Sequence, residues 1–494
     1  MVWARVKQQL QWWHRWLGVV LCVPIVLWFV SGAILLFVPY PQLQESERLA
    51  GAAPLDLSQV RLGADAASAA AGMGQPPASA RLGALEGRPV WRLRGPQGEV
   101  VVVDAVDGVA VAPLDATRAV AVGRAFQQRA VGGDDAVRHL GVVERDQWTV
   151  NGLRGLAPPL HRIGVADGRV LYVSQQAADV VRDASWNERT WGWPGAVLHW
   201  IYVTPLRANA PLWTQLVLWL SGVSLVVAFS GLLIGLWRSV DAWRRRRRIS
   251  AYRGIHYWHH ILGWAGGGLV LTWMFSGWMS MSPFEAAPNP AVAAWREAWS
   301  GVPVQWPSTA LRPPSALPQA GLVEVELRWL AGEPWYRGLS RDGRASWQHA
   351  GSGRAGAPDP VQLLERVSAG SGQHIARREL LTRYDAYYVS HPHRDPRPLP
   401  VWRIVLDDAQ QTWVHVAPER MEIASLLDRA RRGDRWLYSG LHSWDLPWLL
   451  ARPALRNGLL LAALALGLAL SVTGFVVGWK RLCIQRLAGS RRRG

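Results

Sequence analysis

Four histidines sit at positions where a metal cofactor could be held. His14 stands near the start of "WHRWLGVVLCVPIVLWFVSGA", which begins at Trp13, and His259 near the start of "WHHILGWAGGGLVLTWMFSGW". The residues that follow them match at an offset of 245, pairing Gly18 with Gly263, Trp28 with Trp273, and Ser31-Gly32 with Ser276-Gly277. His199 in "LHW" and His442 in "LHSW" match at an offset of 243, as do Trp193 with Trp436, Gly231 with Gly474 and Gly235 with Gly478. A histidine on each of two facing helices is what a bis-imidazole haem b requires, because the iron takes one nitrogen from each side.

The elements that would position these residues are membrane-length. Half of the 494 residues are hydrophobic, with 31 tryptophans. Four stretches reach the roughly 20 residues that a hydrocarbon core of about 30 Å demands. They run Trp16–Val38, Trp213–Trp237, Ile261–Met281 and Leu455–Trp479. The first is too long for a signal peptide and lacks a small-residue cleavage site after it.

Net charge is +18, and 15 of those charges fall in three segments that flank the spans on one side: residues 1–15 (+3), 238–253 (+6) and 480–494 (+6). This is the positive-inside pattern. It puts both termini in the cytoplasm and the long connections outside, and it explains the basicity without nucleic acid. The expected order is therefore a cytoplasmic N-terminus with the first span (1–38), an outer domain (39–210) and a second span (211–238). A basic loop (239–255), a third span (256–282), a second outer domain (283–453), a fourth span (454–480) and a basic tail (481–494) follow. For a bacterial inner membrane the outer domains are periplasmic. The two cysteines, Cys22 and Cys483, lie away from them, so no outer disulfide framework exists.

Offsets also match in the outer segments. "PLHRIGVADGRVLYV" from Pro159 aligns with "PVWRIVLDDAQQTWV" from Pro400 at 241, pairing Arg162 with Arg403 and Tyr172 with Trp413. The chain reads as a duplication, each half a span, an outer domain and a span, with a pseudo-two-fold along the membrane normal. Short alternating runs (Val90–Leu93, Val100–Val103, Arg169–Val173, Trp402–Leu406, Thr412–Val416) read as antiparallel strands. "ATRAVAVGRAFQQRA" and "PDPVQLLERVSAG" carry helical periodicity. Residues 63–80 and "EAAPNPAV" read as loop. The fold class expected is an α-helical membrane protein with four spans from two parallel repeats, carrying two α+β outer domains.

Under that two-fold, His14 meets His259 on the inner side and His199 meets His442 on the outer side, giving two haems b stacked across the bilayer. Gly18 and Gly263, one turn after the inner histidines, would let a porphyrin lie against the backbone. Gly32 and Gly277, about 27 Å from the inner histidines at 1.5 Å per residue, would clear space beside the outer haem. Arg15 and Arg253 are placed either for inner propionates or as ordinary anchors. His256, one turn before His260, competes with His259 for the inner site. A structural zinc has neither cysteine nor carboxylate at the right depth.

The "HRWLG…SG" opening, "LHW" and "LHSWD", "YDAYYVS…LPVWRIVLDD…TWVHV" and "RWLYSGLHSWDLP" resemble the PepSY-associated transmembrane proteins, which include iron-regulated inner-membrane proteins and siderophore reductases. The resemblance covers nearly the whole chain. It implies four spans, two periplasmic PepSY-like domains and, in the reductase members, two haems that pass electrons outward to a ferric siderophore. A haem pair spaced across a bilayer suits such a wire, the protein supplying placement and tuning. No nucleotide-binding signature is present, so quinol or a separate reductase would be the electron donor.

"RYDAYYVSHPHRD" from Arg383 offers Tyr387, Tyr388, His391 and His393 for a ferric chelate. The same segment also reads as a strand and polar turn packed on the outer membrane face. Trp186, Trp191, Trp193, Trp436 and Trp444 read as interfacial anchors or as the lining of a mouth above the outer haem. Two other function classes remain open. A non-enzymatic sensor or interaction protein would bind a periplasmic partner through its PepSY-like domains and tolerate loss of all four histidines. A haem or chelate transporter would need ionisable groups at mid-span, and the span centres carry none. A peptidase lacks both HExxH and a nucleophile elbow.

Overall fold

The computed structural model describes residues 2–132, 136–284, 287–308, 310–391 and 395–490. Four long helices form a bundle: α1 (Val2–Leu35), α2 (Ala210–Arg246), α3 (Gly254–Met279) and α4 (Pro453–Ser490). Three of them contain stretches long and apolar enough to cross a membrane: Arg5–Leu35, Ala210–Arg245 and Pro453–Cys483. At 26 residues α3 has the length, but six glycines and four tryptophans dilute its aliphatic content. Both α1 and α3 pack against α2 and α4, which places α1 and α3 on one diagonal of the bundle. Phe29 and Trp273 meet across that diagonal with ring centroids 5.6 Å apart. Leu21, Ile25, Val227, Val270, Met274, Leu460 and Ala463 fill the centre around them. The outward faces stay apolar and exposed at Val20, Trp219, Val226 and Phe229, as helices bathed in lipid require.

Beyond the bundle, fourteen strands form three antiparallel sheets among the described residues. The first half contributes β1 (Ser79–Leu85), β2 (Arg88–Arg94) and β3 (Val100–Asp104), then β4 (Val137–Val143), β5 (Leu160–Val165), β6 (Val170–Ser174) and β7 (Asp179–Ala184). The second half contributes β8 (Leu322–Leu330), β9 (Glu333–Ser340) and β10 (Ala345–His349), then β11 (Ile375–Leu381), β12 (Val401–Leu406), β13 (Trp413–Ala417) and β14 (Glu422–Leu427). Each four-stranded sheet runs in sequence order, β4-β5-β6-β7 and β11-β12-β13-β14.

The remaining strands make one six-stranded sheet, β10-β9-β8-β1-β2-β3, in which β1 pairs antiparallel with β8. The two outer segments are therefore joined edge to edge and are not separate bodies. Leu82, Trp91, Leu93, Val325, Leu327 and Tyr336 share a single core across the junction.

The helices expected between the strands are present. Ala116–Ala130 starts at Asp115, whose carboxylate accepts from the Arg118 amide at 2.8 Å, and Gly123 lets its face settle on Ile163. Pro360–Ser371 is capped by Asp359 and stops at Gly372 in the left-handed region, φ +65°, a cap that glycine adopts without strain. Two segments expected as loop are partly helical. Ala64–Ala70 is a helix with Ala64, Ala67 and Ser68 buried, and β1 begins at Ser79. Alanine is the strongest helix former, and Asp65 accepts from the backbone of Leu311, a contact from the other half. In "EAAPNPAV", Glu285 and Ala286 lie outside the described residues, and Asn289 caps a helix over Pro290–Ser300.

Candidate paired-histidine sites

On the outer side, the rings of His199 and His442 face one another with centroids 6.0 Å apart and planes at 69°. Their supports are the same in both halves. Ser31 Oγ lies 3.0 Å from His199 Nδ1, and Ser276 Oγ 3.0 Å from His442 Nδ1. Trp28 Nε1 donates to the His199 carbonyl at 3.1 Å, and Trp273 Nε1 to the His442 carbonyl at 3.0 Å. With Nδ1 engaged by a serine, Nε2 is the nitrogen that would meet a metal, the usual arrangement for ligating histidines.

Each of these histidines follows a π-helical turn, Trp193–Val197 in one half and Arg435–Gly440 in the other. Such turns are frequent at functional sites. They widen the backbone ahead of the histidine, and neither is visible in a hydrophobicity pattern.

On the inner side, His14 and His259 are half-buried on α1 and α3. His14 Nδ1 lies 3.1 Å from the Val227 carbonyl and 3.3 Å from Ser230 Oγ, both on α2. His259 Nδ1 lies 3.1 Å from Thr473 Oγ1 on α4. Ser230 and Thr473 differ by the same 243 positions as Gly231 and Gly474. His259 is within electrostatic reach of His14.

The neighbouring histidines are differently placed. His260 is buried, with Nδ1 2.8 Å from Ser250 Oγ and Nε2 3.0 Å from the Gly235 carbonyl. His256 is exposed beside Tyr252. Of the three, His259 is the one that mirrors His14.

Four glycines lie against the imidazole rings. A Cβ on Gly32 would come 3.4 Å from His199 Cε1, and one on Gly277 3.8 Å from His442 Cε1. On the closing helices, a Cβ on Gly231 would come 2.7 Å from His14 Cε1, and one on Gly474 3.2 Å from His259 Cε1. All four glycines seat the imidazoles themselves. Gly18 has nothing within 4 Å of a built Cβ, and Gly263 only Leu470 at 3.9 Å, so room is left beside the inner rings. Arg15 and Arg253 are both exposed.

The segment from Arg383 is a structural turn more than a chelate grip. Tyr388 is fully buried, stacked on His415 at 4.8 Å, and its hydroxyl donates to the Pro398 carbonyl. That removes it from contact with any chelate. Tyr387 stays half-exposed and its ring packs edge-on to Trp436 at 6.0 Å. His391 Nε2 lies 3.1 Å from Asp445 Oδ2, and His393 falls outside the described residues.

A first-half counterpart to this turn exists that pattern reading overlooked. Asp385 accepts from the amides of Tyr387 and Tyr388, and Asp146 accepts from the amide of Trp148. Trp148 then packs edge-on to Trp193 at 6.3 Å, as Tyr387 does to Trp436. Both turns dock on the π-turns that precede the outer histidines. The available signal was an Asp two residues before an aromatic in "RDQW" and "YDAY".

Of the tryptophans expected at the interface, Trp186, Trp191, Trp193 and Trp436 are exposed. Trp444 instead stacks on Trp273 at 6.1 Å, inside the bundle. No family model matches the chain, and no curated protein matches it.

Proposed function

We propose that this chain is a four-span, internally duplicated membrane protein that carries electrons outward through two haems b to a ferric chelate such as a siderophore. The observation that carries the reading is the repeated seating of the histidines. Each pair sits on opposed helices, each ring is fixed through Nδ1, and each lies against a glycine. The outer rings stand 6.0 Å apart, close to the roughly 6 Å expected when two imidazoles bond one metal at about 2 Å from opposite sides. His199 and His442 would hold the outer haem, and His14 and His259 the inner one.

The packing of α3 beside α2 and α4, in the way α1 packs beside them, supports a fourth span and the duplication. The basic segments support an inner-membrane topology with both termini cytoplasmic and the sheets periplasmic. Bound there, the haems would relay single electrons, and reduction of Fe(III) to Fe(II) loosens its hold in a hard-oxygen chelator. The chain's own part is to fix the imidazoles, to keep water from the bundle centre and to brace the outer mouth. Quinol or a separate reductase would be the donor.

The test is a reduced-minus-oxidised absorbance spectrum of the detergent-purified protein with haem counted per chain. Two low-spin haems b are expected, followed by reduction of ferric chelates. Absence of haem after expression with ample haem supply sinks the reading and brings forward a sensor built on the outer sheets.

A further inference from the structure

Beside His442 the second half carries two arginines gathered on an aspartate, whereas at the matching place in the first half Arg207 lies over the rings of Tyr202 and Trp213. Arg456, at the start of α4, donates to the Ser443 carbonyl at 2.5 Å and to Asp445 Oδ1 at 2.8 Å. Arg435, in the π-turn, donates through Nη2 to the Asp445 carbonyl. Asp445 itself is 4% exposed and also meets His391.

Two guanidiniums thus converge on Asp445, Arg456 on its carboxylate and Arg435 on its backbone carbonyl, and their needs are not met. Arg435 Nε and Nη1, and Arg456 Nε, are buried without a hydrogen-bond partner. Burial pulls the Arg435 guanidinium below its ordinary basicity. An unmet buried donor is costly, more so when charged, and an excess cation at an apolar boundary calls for a counter-ion. At an offset of 243 the first half has Gly192, Tyr202 and Trp213 in place of Arg435, Asp445 and Arg456, so the cluster is no part of the repeated scaffold.

We infer that Arg435 and Arg456 form a carboxylate-binding site beside His442. Guanidinium forks match carboxylates in geometry and charge. The carboxylate comes from one of two sources, a propionate of the outer haem or an acid group on the ferric chelate. The first source rests on the haem reading above, and the second does not.

The experiment uses the full-length protein and Arg435→Gln and Arg456→Gln, each checked for monodisperse elution. Spectroelectrochemistry reads the haem midpoints, and calorimetry reads binding of citrate as the carboxylate probe. If the occupant is a propionate, a variant loses one haem or shifts one haem's equilibrium about tenfold toward the oxidised form, about 59 mV for one electron. Citrate then has no effect. If the occupant is on the chelate, both haems are unchanged and citrate binding to the native protein weakens at least tenfold in the variants.

Native haem content and midpoints together with no arginine-dependent citrate binding overturn the inference. Should the purified protein hold no haem, the functional reading fails separately, and citrate binding alone decides whether the arginine site exists. Where Arg435→Gln does not purify, Arg456→Gln carries the same comparison, and Arg435→Lys tests whether the fork or only the charge is needed.

Discussion

The surroundings of His199 and His442 differ more than the seats of the two imidazoles do. Around His199 the mouth is packed with aromatics: Tyr40, Trp148, Trp200, Tyr202 and Trp213 contact one another in a chain of ring pairs. Arg182 ties it shut by donating to the carbonyls of Pro41, Trp148 and Asn151. Around His442 the corresponding space holds Asp445, Arg435, Arg456 and His391. The ligand-bearing contacts have kept their symmetry while their surroundings have diverged. On the proposed function, one metal geometry would constrain the histidine seats alike, while the carboxylate test decides what the polar surroundings of His442 serve.

The largest expected effect tests the symmetric part. His199→Ala and His442→Ala should each lower haem from two to one per chain, and unequal losses would break the equivalence of the halves. Next come the glycines that seat the inner rings. Gly231→Ala places a Cβ 2.7 Å from His14, too close without movement, whereas Gly474→Ala leaves 3.2 Å to His259. Haem retention should fall severalfold in Gly231→Ala and less in Gly474→Ala. Equal retention would show that the contact distances do not control the seat.

A third measurement concerns pH and the outer sheets. His415 is fully buried, with its pKa pushed down to about 3 by burial and by the Arg403 guanidinium that donates to its Nε2. Between pH 6.5 and about 3 the unfolded chain binds a proton that the folded one refuses, so stability falls as pH drops through that window. The slope approaches about 1.4 kcal/mol per pH unit. Thermal unfolding followed from pH 7 to 4 should show this loss, and His415→Gln should flatten it. The first-half equivalent is Ser174, which does not titrate. The smallest effect is expected at the serines. Ser31→Ala and Ser276→Ala remove the Nδ1 partner, making the imidazole a poorer donor and shifting the outer haem about two- to threefold toward the reduced form, equally in both halves.

Pattern reading found what is periodic or repeated. The long apolar stretches, the strands Val90–Leu93 and Trp402–Leu406, and the four histidines all carry local or offset signals. It missed features made by contacts across the chain. Ala64–Ala70 looks like linker until Leu311 and the sheet core are beside it. Tyr388 looks available until Pro398 and His415 enclose it. The matched serines and glycines were visible as repeats, but their partners sit some 170 to 220 residues away in sequence, so their task could not be read from spacing alone.

The pairing of β1 with β8 has a consequence for biosynthesis. Ala80 lies opposite Leu327, 247 residues later in the chain, so the first half is made with one sheet edge open. At about 5–20 residues per second of synthesis, the wait is about 12–50 s. An exposed strand edge invites pairing with other chains, and here the native partner comes only with the second half. Until β8 is made, Ala80–Gly83 is therefore the edge most open to mispairing with another chain.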